Sequence, residues 1–419
     1  MARRVVVTGL GPITPIGIGR DAFWSGLSSG KSGVRRVDDR IDLSDIDVKI
    51  GAPVLDFVVD DFIDARRSRR IDRSTQFGLA AAQLALNDAG LEPEKGRTDR
   101  FGVIAGTGIG GMETYQDNFT ELIERGPRRV SPFFVPRLMP NALAGEISIE
   151  YGLRGVNFGV VSACASGSHA IGVAAELISS GLMDVALAGG AEAVMLRVTY
   201  AGFARIGAVS RRNDEPERAS RPFDKDRDGF VMGEGAGFIV LESLDHATQR
   251  GAPIYAELAG IGMTADAFHI TSPAEDANGA TRALEIAMER AGMEPHQIDY
   301  INAHGTSTEP NDRIETLAIK QAMGSHASKV KISSTKSQIG HLLGAAGGVE
   351  AIATILSMVH GFIPATLNYE NPDPACDLDY TPKPAELPVS IALSNSFGFG
   401  GQNACLLFVR KDGASGVEV

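Results

Sequence analysis

The stretch Val160-Val161-Ser162-Ala163-Cys164-Ala165-Ser166-Gly167, with the helix that follows it, organises the chain. Residues 156–162 read as a short, mostly apolar strand. Residues 165–180 carry Ala170, Ile171, Val173, Ala174, Ala175, Leu177 and Ile178, apolar on nearly every side, which predicts a buried helix. Small residues crowd the turn between them and leave space around the sulfur. A thiol at a strand-to-helix turn meets free backbone N–H groups and the positive end of the helix dipole, both of which stabilise a thiolate. Such sites lower a cysteine pKa from about 8.5 to roughly 3.5–7.5. The stretch is equally compatible with a small buried cysteine that packs as a hydrophobe. A nucleophile also needs an activating or stabilising partner from elsewhere in the chain.

On either side, apolar strand-like runs alternate with helices. Residues 5–8, 101–105, 156–162 and 185–188 read as strands, and residues 74–89 as a helix ending at Gly90. That alternation predicts an α/β fold with a largely parallel sheet. The second half repeats the layout. Tyr255-Ala256-Glu257-Leu258-Ala259-Gly260-Ile261-Gly262 echoes Val5-Val6-Val7-Thr8-Gly9-Leu10-Gly11. A helix near 281–291 precedes a strand at 300–303, and a strand at 330–334 is followed by a loop and an apolar helix at 347–359. Residues 391–394 then match 185–188. The expectation is two similar halves, 1–254 and 255–412, followed by a short tail, 413–419. The loop 336–341 is expected to hold the place that Cys164 holds in the first half, with the reactive groups gathered where the halves meet.

Composition bounds the function. A chain of 419 residues can bury a large core, and 22% charged with 43% hydrophobic residues is ordinary for a globular protein. A formal net charge of −12 argues against general nucleic-acid or membrane-surface binding, without excluding a local basic patch. Three cysteines suit a reducing compartment and give no disulfide framework. With a strand starting at residue 4 and no apolar run long enough to span a bilayer, a cytoplasmic location is expected.

Two motifs mislead. Gly106-Thr107-Gly108-Ile109-Gly110-Gly111 satisfies the dinucleotide pattern after a strand, but no second strand ends in an acidic residue about 20 positions on. Asp224-Lys225-Asp226-Arg227-Asp228-Gly229 begins like a calcium loop, yet its twelfth position is Gly235, with Glu234 one place early. Lys225 and Arg227 read better as partners of the acids, and no metal site is expected.

Of eight histidines, His304 and His341 sit in glycine-bounded, polar turns after strands: Ala303-His304-Gly305-Thr306-Ser307-Thr308 and Ser334-Thr335-Lys336-Ser337-Gln338-Ile339-Gly340-His341. His169, on the buried helix, reads as a core residue. Two facing halves would bring Cys164, His304 and His341 together.

These motifs, with Asn395-Ser396-Phe397-Gly398-Phe399-Gly400-Gly401 and Arg221-Pro222-Phe223-Asp224, resemble the β-ketoacyl-acyl-carrier-protein synthases across essentially the whole chain. His269-Ile270-Thr271-Ser272-Pro273 and Gly108-Ile109-Gly110-Gly111 are similar to the type II branch, which extends longer acyl chains. The resemblance implies a thiolase-like, five-layered αβαβα fold and a homodimer. It implies that Cys164 carries the acyl chain as a thioester while malonyl-acyl carrier protein loses carbon dioxide, with His304 and His341 as oxyanion donors. Lys336 would organise the histidines, supported by Asp312, Glu315 and Glu350. The amides of Cys164 and Phe399 would form a second oxyanion hole, and Phe399 would gate the acyl pocket. Ile109, Thr271, Thr306, Thr308 and Phe399 would contact pantetheine and acyl chain. Arg66, Arg69, Arg70, Arg128 and Arg129 would dock the acidic carrier protein, or else form solvated surface charge. No cofactor is implied beyond the phosphopantetheine that the carrier supplies.

Thiolases share the fold but use a second cysteine, and starter-unit synthases use Cys-His-Asn; neither pattern stands here. A specialised polyketide ketosynthase and a non-catalytic partner that binds acyl chains or carrier protein remain the alternatives. Glu309, Gln338 and Gln402 depart from the family's usual residues and are expected to flank the site. Gly207 stands where relatives are often basic, with Arg205 beside it.

Overall fold

The computed structural model describes residues 3–94 and 98–410; the tail expected at 413–419 lies outside the described residues. The main strands are β1 (Val5–Thr14), β2 (Phe101–Gly106), β3 (Asn157–Val160), β4 (Val185–Glu192), β5 (Gly235–Ser243), β6 (Ala256–Ala265), β7 (Tyr300–Asn302), β8 (Lys331–Ser333), β9 (Ile391–Gly398) and β10 (Gln402–Arg410). They hydrogen-bond in the order β8-β7-β9-β10-β6-β1-β5-β4-β2-β3, and the short strand Gly17–Ile18 folds back on the end of β1. At the centre of that order the pairing narrows to Val6 with Glu257 and Val7 with Ala256. Each half on either side of this seam has the same topology. Three parallel strands (β3, β2, β4, or β8, β7, β9) are followed by an antiparallel one (β5 or β10) and then by the seam strand. Thus β1 to β5 correspond in place to β6, β7, β8, β9 and β10. The two antiparallel strands are fully or mostly buried runs that the sequence reading passed over.

The helices that matter are α1 (Arg73–Asp88), α2 (Ala142–Tyr151), α3 (Ser166–Ser179), α4 (Asn278–Ala291), α5 (Glu309–Met323) and α6 (Ala346–His360). α1 and α2 cover the outer face of the first half-sheet, and α4 and α5 that of the second. α3 and α6 lie between the half-sheets in one shared apolar core. This is the expected five-layered αβαβα stack. Asp72 starts α1 by accepting from the Ser74 amide at 3.0 Å, one of the orphan donors of a helix start.

The sequence echo between the halves has a packing cause. A Cβ at Gly9 or Gly11 would overlap the carbonyl oxygens of Ala85 and Ala81 on α1. A Cβ at Gly260 or Gly262 would overlap those of Ala287 and Ala283 on α4. Two glycines, two residues apart on one face of a strand, let a helix backbone lie directly on the sheet in both halves.

One sequence expectation needs amending. Residues 343–360 form an 18-residue run of mean hydropathy 1.4, apolar and long enough by composition to cross a bilayer. In the fold 89% of it is buried, because α6 is a central layer with protein on all sides.

Candidate active site

The site is built on two matching turns. β3 leads into a single 3₁₀ turn, Ala163–Ala165, from which α3 departs; Ala163 takes the left-handed backbone conformation, φ +50°. In the second half the turn Leu343–Ala345 leads into α6, with Leu343 at φ +48°. A positive φ at a non-glycine residue is strained and is kept only where the surroundings dictate it. The counterpart of Cys164 is therefore Gly344. The loop 336–341, expected in that place, lies just before the turn instead and delivers His341 to its edge.

Cys164 is 9% exposed. Its sulfur and one ring nitrogen from each of His304 and His341 all lie within 4.8 Å of one another. The rings are perpendicular (86°) with centroids 5.4 Å apart. Phe230 packs edge-on to His341 and Phe397 to His304. The His341 backbone is held by its own N–H to Val231 O at 2.7 Å and by Gly233 N–H to its carbonyl at 2.9 Å.

Hydrogen bonding sets the histidine tautomers. The Leu343 N–H donates to His341 Nδ1 at 3.3 Å, so the proton of this ring resides on Nε2, which is buried and has no partner among the described residues. Lys336 Nζ lies 3.4 Å from His304 Nδ1 and donates to the His304 carbonyl at 2.6 Å, which likewise leaves Nε2–H on His304. Burial first and the Lys336 ammonium second push both imidazoles well below their usual pKa, so both are neutral near pH 7; His341 adds to the effect on His304. Two neutral N–H donors thus face the thiol. A cation bound among these three groups would lie close to the Lys336 ammonium, which opposes metal binding.

Lys336 is itself buried and ion-paired with Glu350, both 1% exposed. Removing either partner strands a buried charge, a loss of about 3–5 kcal/mol. Glu315 accepts the His304 and Gly305 amides at 2.8 and 2.7 Å and Asn395 Nδ2 at 3.2 Å; burial pushes its pKa up to about 7. Asp312 accepts the Thr306 and Phe223 amides at 3.0 and 2.7 Å and faces Arg227 at 3.5 Å. These carboxylates hold the backbone of the His304 loop and do not touch its ring.

The thiol departs from expectation. Burial pushes Cys164 up to about 11, against Lys336 and a Phe399 backbone hydrogen bond, which pull it down, while Glu192 and Glu350 push the same way as burial. A group this enclosed is a neutral thiol at pH 7. Alkylation of Cys164 by iodoacetamide is therefore expected to accelerate about tenfold per pH unit from 7 to 9, as the thiolate fraction grows. A plateau below pH 8, read by mass spectrometry of the labelled peptide, would show that the helix terminus outweighs burial.

A cavity of about 570 Å³ opens onto the three groups. Ile109, Thr271, Thr306, Thr308 and Phe399, the residues expected to contact pantetheine and acyl chain, all line it. The Gly400 N–H donates to Ile270 O at 2.7 Å, tying the Phe399 loop to the Thr271 segment. Glu309 lines the cavity as well. Gln338 does not: it is fully buried, and its Nε2 donates to Leu27 O at 3.2 Å, away from the reacting groups. Gln402 pairs with Gly398 and Ala265 at the start of β10 and is not part of the lining.

Arg66, Arg69, Arg70, Arg128 and Arg129 are exposed and line none of the cavity. The Arg70 guanidinium lies over the Phe133 ring at 5.5 Å, so the first cluster touches the segment that follows the second in sequence. Arg205 is exposed beside Gly207, which lines the cavity.

The two misleading motifs find structural roles. Gly108 and Ile109 amides donate to the Glu192 carboxylate at 2.6 and 3.3 Å, so the glycine-rich loop already holds an anion. Arg227 and Asp224 of the second motif are ion-paired, but not with charges of the motif itself as expected: Arg227 pairs with Asp373 at 2.6 Å and Asp224 with Arg221 at 2.9 Å, both partners lying outside the motif. His169 is a satisfied residue, its Nδ1 2.7 Å from Ser162 Oγ. Sequence reasoning missed Glu192, Phe230 and Phe397; the signal for Glu192 was an acid closing an otherwise apolar strand.

A doubled α/β fold with a thiol on one of its two matching turns defines the thiolase-like class. Family profiles and relatives narrow it. The profile described as the N-terminal domain of β-ketoacyl synthase matches residues 2–247, and that of the C-terminal domain residues 255–370. A 3-oxoacyl-[acyl-carrier-protein] synthase 2 from Synechocystis is 50% identical over 409 residues, covering 97% of this chain and 98% of the relative. The protein of the same name from Rhizobium meliloti is 48% identical, covering 98% and 100%. Among solved structures, the ishigamide ketosynthase/chain length factor matches with TM-score 0.91 at 38% identity, covering 98% of this chain and 100% of that one. A type II polyketide ketosynthase solved in complex with its acyl carrier protein matches at 0.89 and 34%, with the same coverage. The chain belongs to the β-ketoacyl synthase family.

Proposed function

We propose that the enzyme is an elongating 3-oxoacyl-[acyl-carrier-protein] synthase of type II that serves fatty acid synthesis. The observation that carries its mechanism is the pair of neutral Nε2–H donors facing one buried thiol. Cys164 attacks the acyl thioester of a carrier protein: a sulfur–carbon bond forms, the pantetheine sulfur leaves, and the thiol proton ends on that leaving group. The amides of Cys164 and Phe399 hold the tetrahedral oxyanion. Malonyl thioester then enters, its carbon–carbon bond to the carboxylate breaks, and carbon dioxide leaves. The electron pair passes to the thioester oxygen, held by His304 and His341 Nε2–H. The enolate carbon attacks the acyl–cysteine carbonyl, and collapse expels the Cys164 thiolate, which takes up a proton. Thr306 and Thr308 hydroxyls, 2.8 Å apart on the cavity wall, are suited to the amides of the pantetheine arm. That arm arrives with the carrier, and the enzyme adds no cofactor or metal.

The 48–50% identity to 3-oxoacyl-[acyl-carrier-protein] synthases 2, against 34% to the type II polyketide ketosynthase, supports this reading over a specialised polyketide role. The non-catalytic alternative is disfavoured by the complete Cys–His–His set.

The test combines acyl and malonyl carrier proteins and reads products by mass across graded acyl lengths. Carrier masses one malonyl-derived two-carbon unit longer, with carbon dioxide released, are expected. If the exposed arginines dock the carrier, charge reversal at Arg66 plus Arg129 lowers use of carrier-bound substrate about tenfold or more, and added salt slows association of the wild-type enzyme with the carrier. Short pantetheine thioesters, which reach the cavity without touching either cluster, are expected to react at the wild-type rate. Equal losses with both substrates would return the arginines to a folding role.

A homodimer fits the same reading. Among the described residues β3 ends the strand order with one edge unpaired, and Phe158 within it and Val161 just after it are 39% and 54% exposed. An open edge flanked by apolar side chains is a pairing surface. Light scattering is expected to give twice the chain mass, and Phe158→Asp to return it to the monomer value; a wild-type monomer would refute the dimer. Location in the cytoplasm belongs to this proposal too.

A further inference from the structure

Glu192 ends β4 as a fully buried carboxylate. Among the described residues no cation pairs with it. Burial pushes its pKa up to about 7, and four donors act against burial to favour the charged form: Thr107 Oγ1 at 3.0 Å and Ile109 N–H at 3.3 Å on one oxygen, Gly108 N–H at 2.6 Å and Gly344 N–H at 2.9 Å on the other. The donors come from the loop after β2 in the first half and from the turn before α6 in the second. Glycine is required on both sides, since a Cβ would stand 2.7 Å from the same oxygen at Gly108 and 2.6 Å from it at Gly344. A buried anion held by dipoles alone is expensive, and its four bonds work only in this one arrangement.

The two anchored segments do different things. Ile109 is part of the cavity wall. Leu343, next to Gly344, supplies the N–H that sets the His341 tautomer. We propose that Glu192 is a positioning residue that joins these two, fixing the acyl wall at Ile109 and the Nε2–H donor of His341 from a single carboxylate. The inference rests on the condensing function for its kinetic readouts, and on geometry alone for its spectroscopic one.

Glu192→Gln keeps the shape but turns an NH₂ group against one pair of N–H or O–H donors. In histidine-¹⁵N-labelled protein, wild type is expected to show His341 as the Nε2–H tautomer, and Glu192→Gln a mixture of the two. Malonyl decarboxylation is expected to fall by up to about 10²-fold, as for a misplaced catalytic group. The ratio of kcat/KM between long and short acyl carriers is expected to shift about tenfold, the value of a methylene-sized change in a pocket. Thr107→Val removes one donor from the Ile109 side only; it is expected to shift the acyl ratio and leave the His341 tautomer as in wild type. An unchanged tautomer in Glu192→Gln, or equal losses at every acyl length, overturns the proposal. Should Glu192→Gln fail to fold, a wild-type acyl ratio in Thr107→Val overturns it as well. A wild-type enzyme that releases no carbon dioxide sinks the functional reading instead, and the ring spectra still decide the role of Glu192.

Discussion

Cys164→Gln is expected to stop chain extension while malonyl decarboxylation continues. The two half-reactions need different groups. Decarboxylation creates negative charge on the malonyl thioester oxygen and requires donors, which His304 and His341 supply; the sulfur takes no part. Condensation requires an acyl group on sulfur. A glutamine side chain is uncharged and carries a carbonyl near the position of the acyl–cysteine carbonyl, so the variant resembles the acylated enzyme. It fits the space beside the Cys164 and Phe399 amides without a charge to desolvate. The assay follows labelled carbon dioxide together with the mass of the carrier protein, expecting acetyl carrier and no extended product. Extended acyl chains from this variant would show that another group is the nucleophile.

The second large effect falls on the donors. In the Cys164→Gln background, His304→Ala is expected to slow decarboxylation by about 10²–10³, the usual cost of one oxyanion donor in a dry site. The pH profile distinguishes donor from acid. Both imidazoles have pKa values pushed well below 6.5, so each is already neutral above that pH and carries Nε2–H throughout. Decarboxylation by Cys164→Gln is therefore expected to be flat from pH 6.5 to 8. Activity that falls as pH rises through 6.5 would require imidazolium and refute the neutral-donor role, as would an undiminished rate in His304→Ala.

Much of this site is local, and so was legible in the chain. Cys164 lies between an apolar strand and a buried helix; His304 lies in a glycine-bounded turn directly after a strand, and His341 follows a strand by way of the short helix Lys336–Ile339 and Gly340. Those relations are set by residues near each other in sequence. The doubling of the fold was legible too, because Gly9 and Gly11, like Gly260 and Gly262, must be glycine for a helix to lie on the strand. The antiparallel strands Gly235–Ser243 and Gln402–Arg410 were not anticipated, since buried apolar runs carry no alternation to distinguish them.

What tertiary structure alone decided is the state of each reacting group. The thiol stands high because protein encloses it from both halves, which outweighs the local helix terminus that predicted a low value. The His341 tautomer is set by the Leu343 amide, in a turn whose pairing with the Cys164 turn is a fact of three dimensions. Glu192 gains its role from donors 83 to 85 positions before it and 152 after, contacts that no local pattern encodes. Local sequence determines which chemical groups stand on which turns. Their protonation and aim depend on desolvation and on hydrogen bonds across the seam, and these exist only once the two halves have closed on each other.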